Sequence, residues 1–543
     1  MAVDPFVREA TVLRLMDAMI GAVNALEWDA DTIVNATALV AAAGVSAGAS
    51  QTARTGAEAA RDVAVAAAGT FAAPTKSFLD SIMGGDVAGL VQKLPAIIVD
   101  TNYANLQAAI TACPAGATLE VRGTHTTAVT INITTPMTMR FVGGSVTSTS
   151  TTLKTFSIQA DDVTIIDPVI VGTGGNVAAT TAMGIFVTDT DSFTLTGGSV
   201  TGFPFHGVSL KRCTNVTISD TLIKDTGYGA LMMLSVDNVR VTSLKVDTVY
   251  QPGSWPQSYG IAITHDEADP AVTRSTNVVI TGCHVSGVTN WEGIESHGGN
   301  GITVSDCLVE NCRIGIAMVP GGSGAMQHLA ATNITITSNV IRSPLAVSTY
   351  GIQIIGAGDN DLGPLERVRG YVGGNHISNS TLGAIRIGYS EGLVVSGNTI
   401  IEPDKYGIDI FYRNNGLVVT NNTIVDVWTN GPVAAAIAVT SDQNQVALGN
   451  NKVGRGTRAG VVNAQGLRIV TSHPDLRVVD IGGNDWSLAT IPISGPWAVR
   501  ASFYGAPPVV KPTVTGARGA NVALTSLLTA LAAQGLITNS STT

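Results

Sequence analysis

The sequence predicts a mainly β chain wound as a right-handed parallel β-helix, a solenoid, on three observations. An apolar-x-apolar strand signal recurs along most of the chain, its shortest steps being 23 or 24 residues, as from Phe193 to Val216 to Val239 and from Gly370 to Leu393 to Leu417. A second signal, Gly followed by alternating aliphatics, sits in each unit: GIFV at Gly184, GVSL at Gly207, GIAI at Gly260, GIES at Gly293, GIAM at Gly315, GIQI at Gly351 and GIDI at Gly407. The third is a column: Asn339, Asn375, Asn398, Asn422 and Asn451 each lie five residues after a strand start. A buried Asn at the same bend of successive coils can hydrogen-bond along the stack and satisfy turn backbone groups.

Composition fits this class and excludes others. Charged residues are 13% of the 543, against about 25% in an ordinary soluble domain, and glycine is abundant at 60 residues. Forty acids against 30 bases give a net charge of −10, and Lys and Arg form no cluster, so a nucleic-acid footprint is missing. The opening MAVDPFVREATVLRLMD has acids where a secretion signal needs bases, and no later apolar run is long enough for membrane insertion. The five cysteines are odd in number and lack zinc spacing, and HExxH, EF-hand, CxxC and GxSxG patterns are absent. Neither a metal nor a cofactor is expected, and the chain is expected to fold in a reducing cytoplasm.

Residues 1–75 read as a helical attachment and oligomerisation stalk: Phe6, Leu13 and Ile20 fall seven apart, with Met16 and Val23 between them. A parallel bundle between subunits and a lone amphipathic helix both fit that stripe. Pro, Gly and a Gly-Gly pair punctuate a linker over 76–102. The β-helix is expected over 103–504, opening with a cap in which a short helix presents Leu106, Ala109 and Ile110, followed by cap strands. Eleven strand starts follow: Val163, Phe193, Val216, Val239, Val278, Ile302, Ile334, Gly370, Leu393, Leu417 and Val446. Cys283 and Cys307 continue the Asn column as reduced core residues. Residues 505–543 end in an apolar helix carrying Val522, Leu524, Leu527, Leu528, Leu531, Leu536 and Ile537, whose stripe needs either a three-fold clasp or the last coil to cover it.

The segment LQAAITACPAGATLEV, the Asn column and the GI-x-I coils resemble the pectate-lyase-type β-helix superfamily over about residues 102–480. Within it, the Ala-rich amino-terminal segment and the carboxy-terminal Thr-Gly-x-Arg-Gly turn at 515–519 before an apolar helix resemble bacteriophage tailspikes and tail fibres. The resemblance implies a homotrimeric virion appendage, attached to phage tail or baseplate proteins through its amino terminus and binding host bacterial surface polysaccharide. Cleavage of that glycan, by a glycoside hydrolase (endoglycosidase) or a lyase route, stays open beside two alternatives: a non-enzymatic adhesive fibre and a free polysaccharide-degrading enzyme.

Insertions mark where chemistry would sit, because a bare rod forms no deep pocket. The largest step runs from Val239 to Val278 and carries YQPGSWPQSYGIAITHDEADP at 250–270, and the next coil carries NWEGIESHGGN at 290–300. Carboxylates among aromatics fit acid and base work on a sugar, with rings to stack on it. The candidate catalytic residues are Asp266, Glu267 and Glu295; the candidate substrate-binding residues are Trp255, Tyr259, His265, Trp291, Glu292 and His297. Aligning Gly260 with Gly293 puts Ala262 over Glu295 and turns Glu295 toward solvent. For a lyase route, His265, His297 or Arg274 would supply base and cation. A second cluster, Glu391, Glu402, Asp404, Tyr406, Asp409 and Arg413 with Arg386 one coil earlier, reads as a surface ion pair.

Overall fold

The computed structural model describes residues 97–176, 181–251, 257–266, 273–321, 327–343, 349–358, 365–427, 434–440, 445–454, 465–470, 476–494, 501–503, 513–515, 521–533, 538–540 and 542. The expected stalk over 1–75, Trp255, Glu267, Leu536 and Ile537 lie outside the described residues.

Three sheets of 16, 14 and 13 strands, paired in parallel, run along this part of the chain, and each coil contributes one strand to each sheet in turn. The stacking is a consequence of side-chain alternation. Along the 14-stranded sheet, Ile185, Val208, Leu231, Ile261, Ile294, Ile316, Ile352, Ile385, Ile408 and Ile437 are register partners. All ten are fully buried. Each such burial stabilises the fold by about 1.5–3 kcal/mol, and one-residue slips are disfavoured because they would turn the whole row outward. The Gly that opens these strands is a packing requirement: a Cβ on Gly260 would lie 2.3 Å from the Gly293 carbonyl oxygen.

The asparagine column is continuous. The Nδ2 groups of Asn339, Asn375, Asn398, Asn422 and Asn451 each donate to Oδ1 of the next Asn at 2.9 Å, and the file ends on Asn484, one coil beyond the sequence reading. Each Nδ2 also donates to a backbone carbonyl of the preceding coil, as from Asn398 to Val372 at 3.1 Å. At the other end the Cys307 amide donates to Asn339 Oδ1 at 3.0 Å, and Cys283 and Cys307 are buried, unbridged thiols.

The rod is longer than the eleven starts indicate. The 16-stranded sheet adds Ile97–Val99, Ala117–Val121 and Met137–Phe141 before them and Arg477–Gly482 and Ala501–Phe503 after them. The strands expected as cap are therefore coils, and fifteen steps of about 4.8 Å give a length near 70 Å. The helix α1 (Leu106–Ala112) does cap the first coils: it buries Leu106, Ala109 and Ile110, and the Asn105 side chain accepts the Ala108 amide at 2.9 Å. The helix α2 (Val522–Ala533) buries Leu528 but leaves Val522 80%, Leu527 55% and Leu524 39% exposed on the isolated chain.

Candidate functional site

The site is built on the outer face of the 14-stranded sheet. Its strands there are β1 (His206–Lys211), β2 (Gly229–Leu234), β3 (Tyr259–Thr264), β4 (Glu292–His297), β5 (Ile314–Val319), β6 (Tyr350–Ile355), β7 (Gly383–Gly388) and β8 (Tyr406–Ile410). One outward row reads Met232, Ala262, Glu295, Ala317, Gln353, Arg386 and Asp409. Ala262 does lie over Glu295, as aligned from the sequence.

Glu295 points away from the core yet is 1% exposed, so the expectation that it meets solvent is wrong. Its row neighbours on both sides are alanines, Ala262 and Ala317, and His297 of the same strand packs against its carboxyl. Glu292 is the register partner of Tyr259, and Tyr259 stands edge-on to His297 with ring centroids 6.3 Å apart. Glu292, Glu295 and His297 bring one ligating atom each within 4.8 Å of the others. His297 Nε2 lies 2.7 Å from Glu295 Oε2.

Burial decides the protonation of this cluster. Desolvation, reinforced by the neighbouring Glu295 charge, pushes the Glu292 carboxyl up to about 8, so it holds its proton at neutral pH. Desolvation also raises Glu295, with the His297 charge and hydrogen bond opposing it. For His297 burial favours the neutral ring, but the Glu295 charge and hydrogen bond and the Glu292 charge prevail and take it up to about 9. The Pro320 carbonyl faces the ring and adds to that rise, although Nδ1 makes no hydrogen bond of normal geometry. Glu292 Oε2 and Glu295 Oε2 are likewise buried without a hydrogen bond of normal geometry, the latter although it lies 2.7 Å from His297 Nε2, a contact that is an ion pair by distance. The result is a protonated carboxyl, Glu292, beside an imidazolium, His297, with Glu295 buried behind them.

Beside it opens a cleft of about 440 Å³ whose walls include Trp291, Glu292, His297, Arg313, Tyr350 and Arg386. Of the sequence candidates, Trp291, Glu292 and His297 meet the cleft, and Glu295 lies one layer beneath. Tyr259 and His265 are buried, at 4% exposure each, and do not line it. Asp266 is not brought to the cluster. Its carboxylate pairs with Lys211 Nζ at 2.8 Å and Arg212 Nη1 at 2.5 Å, side chains from the end of β1, two coils back toward the amino-terminal end. Arg274 is drawn off by Glu366 at 2.6 Å. In the second cluster, Arg386 and Asp409 do pair, at 3.6 Å, but Arg386 also borders the cleft, and Glu391 pairs with Arg369 instead. Arg386 was read from the sequence only as part of an ion pair, and Arg313 and Tyr350 were not singled out; they stand just before the Gly-led strands at Gly315 and Gly351, a position the alternation along the strands does not flag.

The family described as right handed beta helix region matches residues 173–360 and 321–473, together more than half of the 543-residue chain. The chain belongs to this family. A right-handed β-helix of three parallel sheets is what the structure displays. The uncharacterized protein YclG of Bacillus subtilis (strain 168) is 26% identical over 283 residues, which are 47% of this chain and 43% of that protein, so the match spans under half of the relative. Among solved structures, the catalytic unit of the GH87 α-1,3-glucanase of Streptomyces thermodiastaticus strain HF3-3 matches with a TM-score of 0.51 and 14% identity, covering 76% of this chain and 70% of that one. The Dettilon tailspike protein matches with a TM-score of 0.42 and 15% identity over 75% and 70% of the two chains. At such identities the likeness is one of fold, and function has to be argued from the site.

Proposed function

We propose that this β-helix is the receptor-binding appendage of a bacteriophage, a tailspike or tail fibre, and that the cleft beside β4 holds a bacterial surface glycan. The observation that carries the glycan reading is a polar, aromatic-walled cleft on a solenoid face, with a protonated carboxyl and an imidazolium opening into it. Such donors suit the hydroxyl and ether oxygens of a sugar chain. The uncovered apolar face of α2, with Val522, Leu524 and Leu527, supports a homotrimer clasped at the carboxy-terminal end. The amino-terminal segment would then attach to the phage tail or baseplate.

Glu292 favours a second reading, in which the site also cleaves what it holds. A carboxyl with a pKa near 8 is a competent general acid at neutral pH, able to protonate a departing glycosidic oxygen. Because Glu295 lies beneath the wall, its part is to set the protonation of Glu292 and His297, and Glu292 and His297 meet the ligand.

The test is to incubate the full-length protein with capsule and lipopolysaccharide from a panel of bacterial hosts, and to follow retention together with new reducing ends and unsaturated-uronate absorbance. Retention with product that Glu292→Gln abolishes supports cleavage. Retention without product supports the adhesive fibre, and no retention by any host glycan removes the glycan reading.

A further inference from the structure

Arg313 differs from the arginines of the rod that form ion pairs. Arg122, Arg212, Arg274, Arg342 and Arg369 each pair with a carboxylate. Arg313 borders the cleft, and its polar contact is one long hydrogen bond, from Nη1 to the Asn290 carbonyl at 3.4 Å; among the described residues it pairs with no carboxylate. Its guanidinium lies over the Trp291 ring, 5.0 Å from the centroid. Its charge acts on the Glu292 carboxyl, which holds its proton at neutral pH, so among the described residues no ion pair neutralises Arg313.

A second guanidinium borders the same cleft. Arg386 lies between the Phe411 and Tyr350 rings, 4.2 and 5.2 Å from their centroids, and Nη1 donates to the Tyr350 hydroxyl at 2.8 Å. Asp409 sits 3.6 Å from Nε, beyond hydrogen-bonding geometry, so Nε has no hydrogen-bond partner although it is buried. Arg386 is on β7, two strands past β5, so the two cations are about 10 Å apart along the rod axis. Planar guanidinium forks held by aromatic faces are pre-organised for carboxylates.

We propose that the cleft selects an acidic glycan, with Arg313 receiving a sugar carboxylate and Arg386 bordering the next stretch of the chain. The inference rests on the glycan reading above and adds the charge class of the ligand. It also gives Trp291 a different task from the sugar platform expected from the sequence. One face of its indole is taken by Arg313, so Trp291 positions the cation.

The experiment is affinity electrophoresis of the full-length protein in gels carrying polygalacturonate, hyaluronate, polysialate or xanthan, each beside its carboxyl-reduced neutral form, with dextran and mannan as further neutral chains. The expected result is retardation by an acidic chain that its reduced form does not reproduce. Arg313→Gln should weaken that binding at least about tenfold with an unchanged thermal midpoint, and Arg313→Lys should recover part of it. Retardation by reduced or neutral chains equal to that by acidic ones, or full binding by Arg313→Gln, overturns the acidic inference and leaves the glycan reading standing. Retardation by no chain of either kind counts against both.

Discussion

Glu295 and His297, two residues apart on one strand, meet at 2.7 Å where the cleft wall passes into the buried layer, and this contact acts on the protonation of His297 and, after burial, of Glu292. The Glu295 charge helps keep the imidazole protonated up to about 9, and with burial it helps keep Glu292 protonated up to about 8. Both groups bind protons more tightly folded than unfolded, so both stabilise the fold at low pH and lose that contribution on the alkaline side. For Glu292 the contribution is complete below about 4.5 and lost as pH rises through about 8; for His297 it is complete below about 6.5 and lost through about 9. Thermal midpoints measured from pH 5 to pH 9 are expected to fall, and Glu292→Gln should flatten the lower part of that fall.

His206 works in the opposite direction. Its ring stacks on Phe205 with centroids 3.9 Å apart, both ring nitrogens are buried without a hydrogen-bond partner, and burial pushes its pKa down to about 3. Stability from keeping this ring neutral is present above about 6.5 and is lost as pH falls toward about 3. His206→Phe retains the stack and removes the titration, so it should raise the midpoint at pH 4 and change it little at pH 7.

The asparagine file is expected to hold the carboxy-terminal half of the rod in register. Asn398→Ala deletes two donated bonds, to Val372 and Asn422, and leaves the Asn375 amide without its acceptor. Several buried groups then go unsatisfied, at a cost of about 3 kcal/mol or more, read as a lowered denaturant midpoint. Asn398→Cys should be milder, since Cys283 and Cys307 occupy the same column.

Asp266 gives a contrast within the same loop region. It is 4% exposed and pairs with Lys211 and Arg212; Arg212 also holds Asp189 at 2.5 Å, so Asp266→Asn leaves Lys211 without its carboxylate and Arg212 with one in place of two, and should destabilise by about 1–3 kcal/mol. Glycan retention by this variant, measured below its unfolding temperature, should match the parent chain.

The repeat was legible because its causes are local: the period of two along a strand, the close approach that demands Gly, and an amide that bonds to its own copy one coil on. Register followed by counting, which put Ala262 over Glu295 from residue numbers alone. The three earliest strands of the 16-stranded sheet escaped because their coils carry neither the Gly-led strand nor an Asn at the bend. In the site, the sequence brought Glu292 and His297 into one strand, but not the burial of Glu295, which depends on its place between two alanines of neighbouring coils and against His297. The ion pairs of Asp266 were not legible because Lys211 and Arg212 stand more than 50 residues earlier in the sequence and only two coils away in the rod.

Hydrogen–deuterium exchange of the full-length protein, with and without a retained surface glycan, tests the central claim most directly. Slower exchange confined to residues 290–297, 313–321 and the start of β6 is the outcome expected if the cleft beside Glu292 holds the sugar. Protection confined to the other two sheets, or to α2, would contradict it.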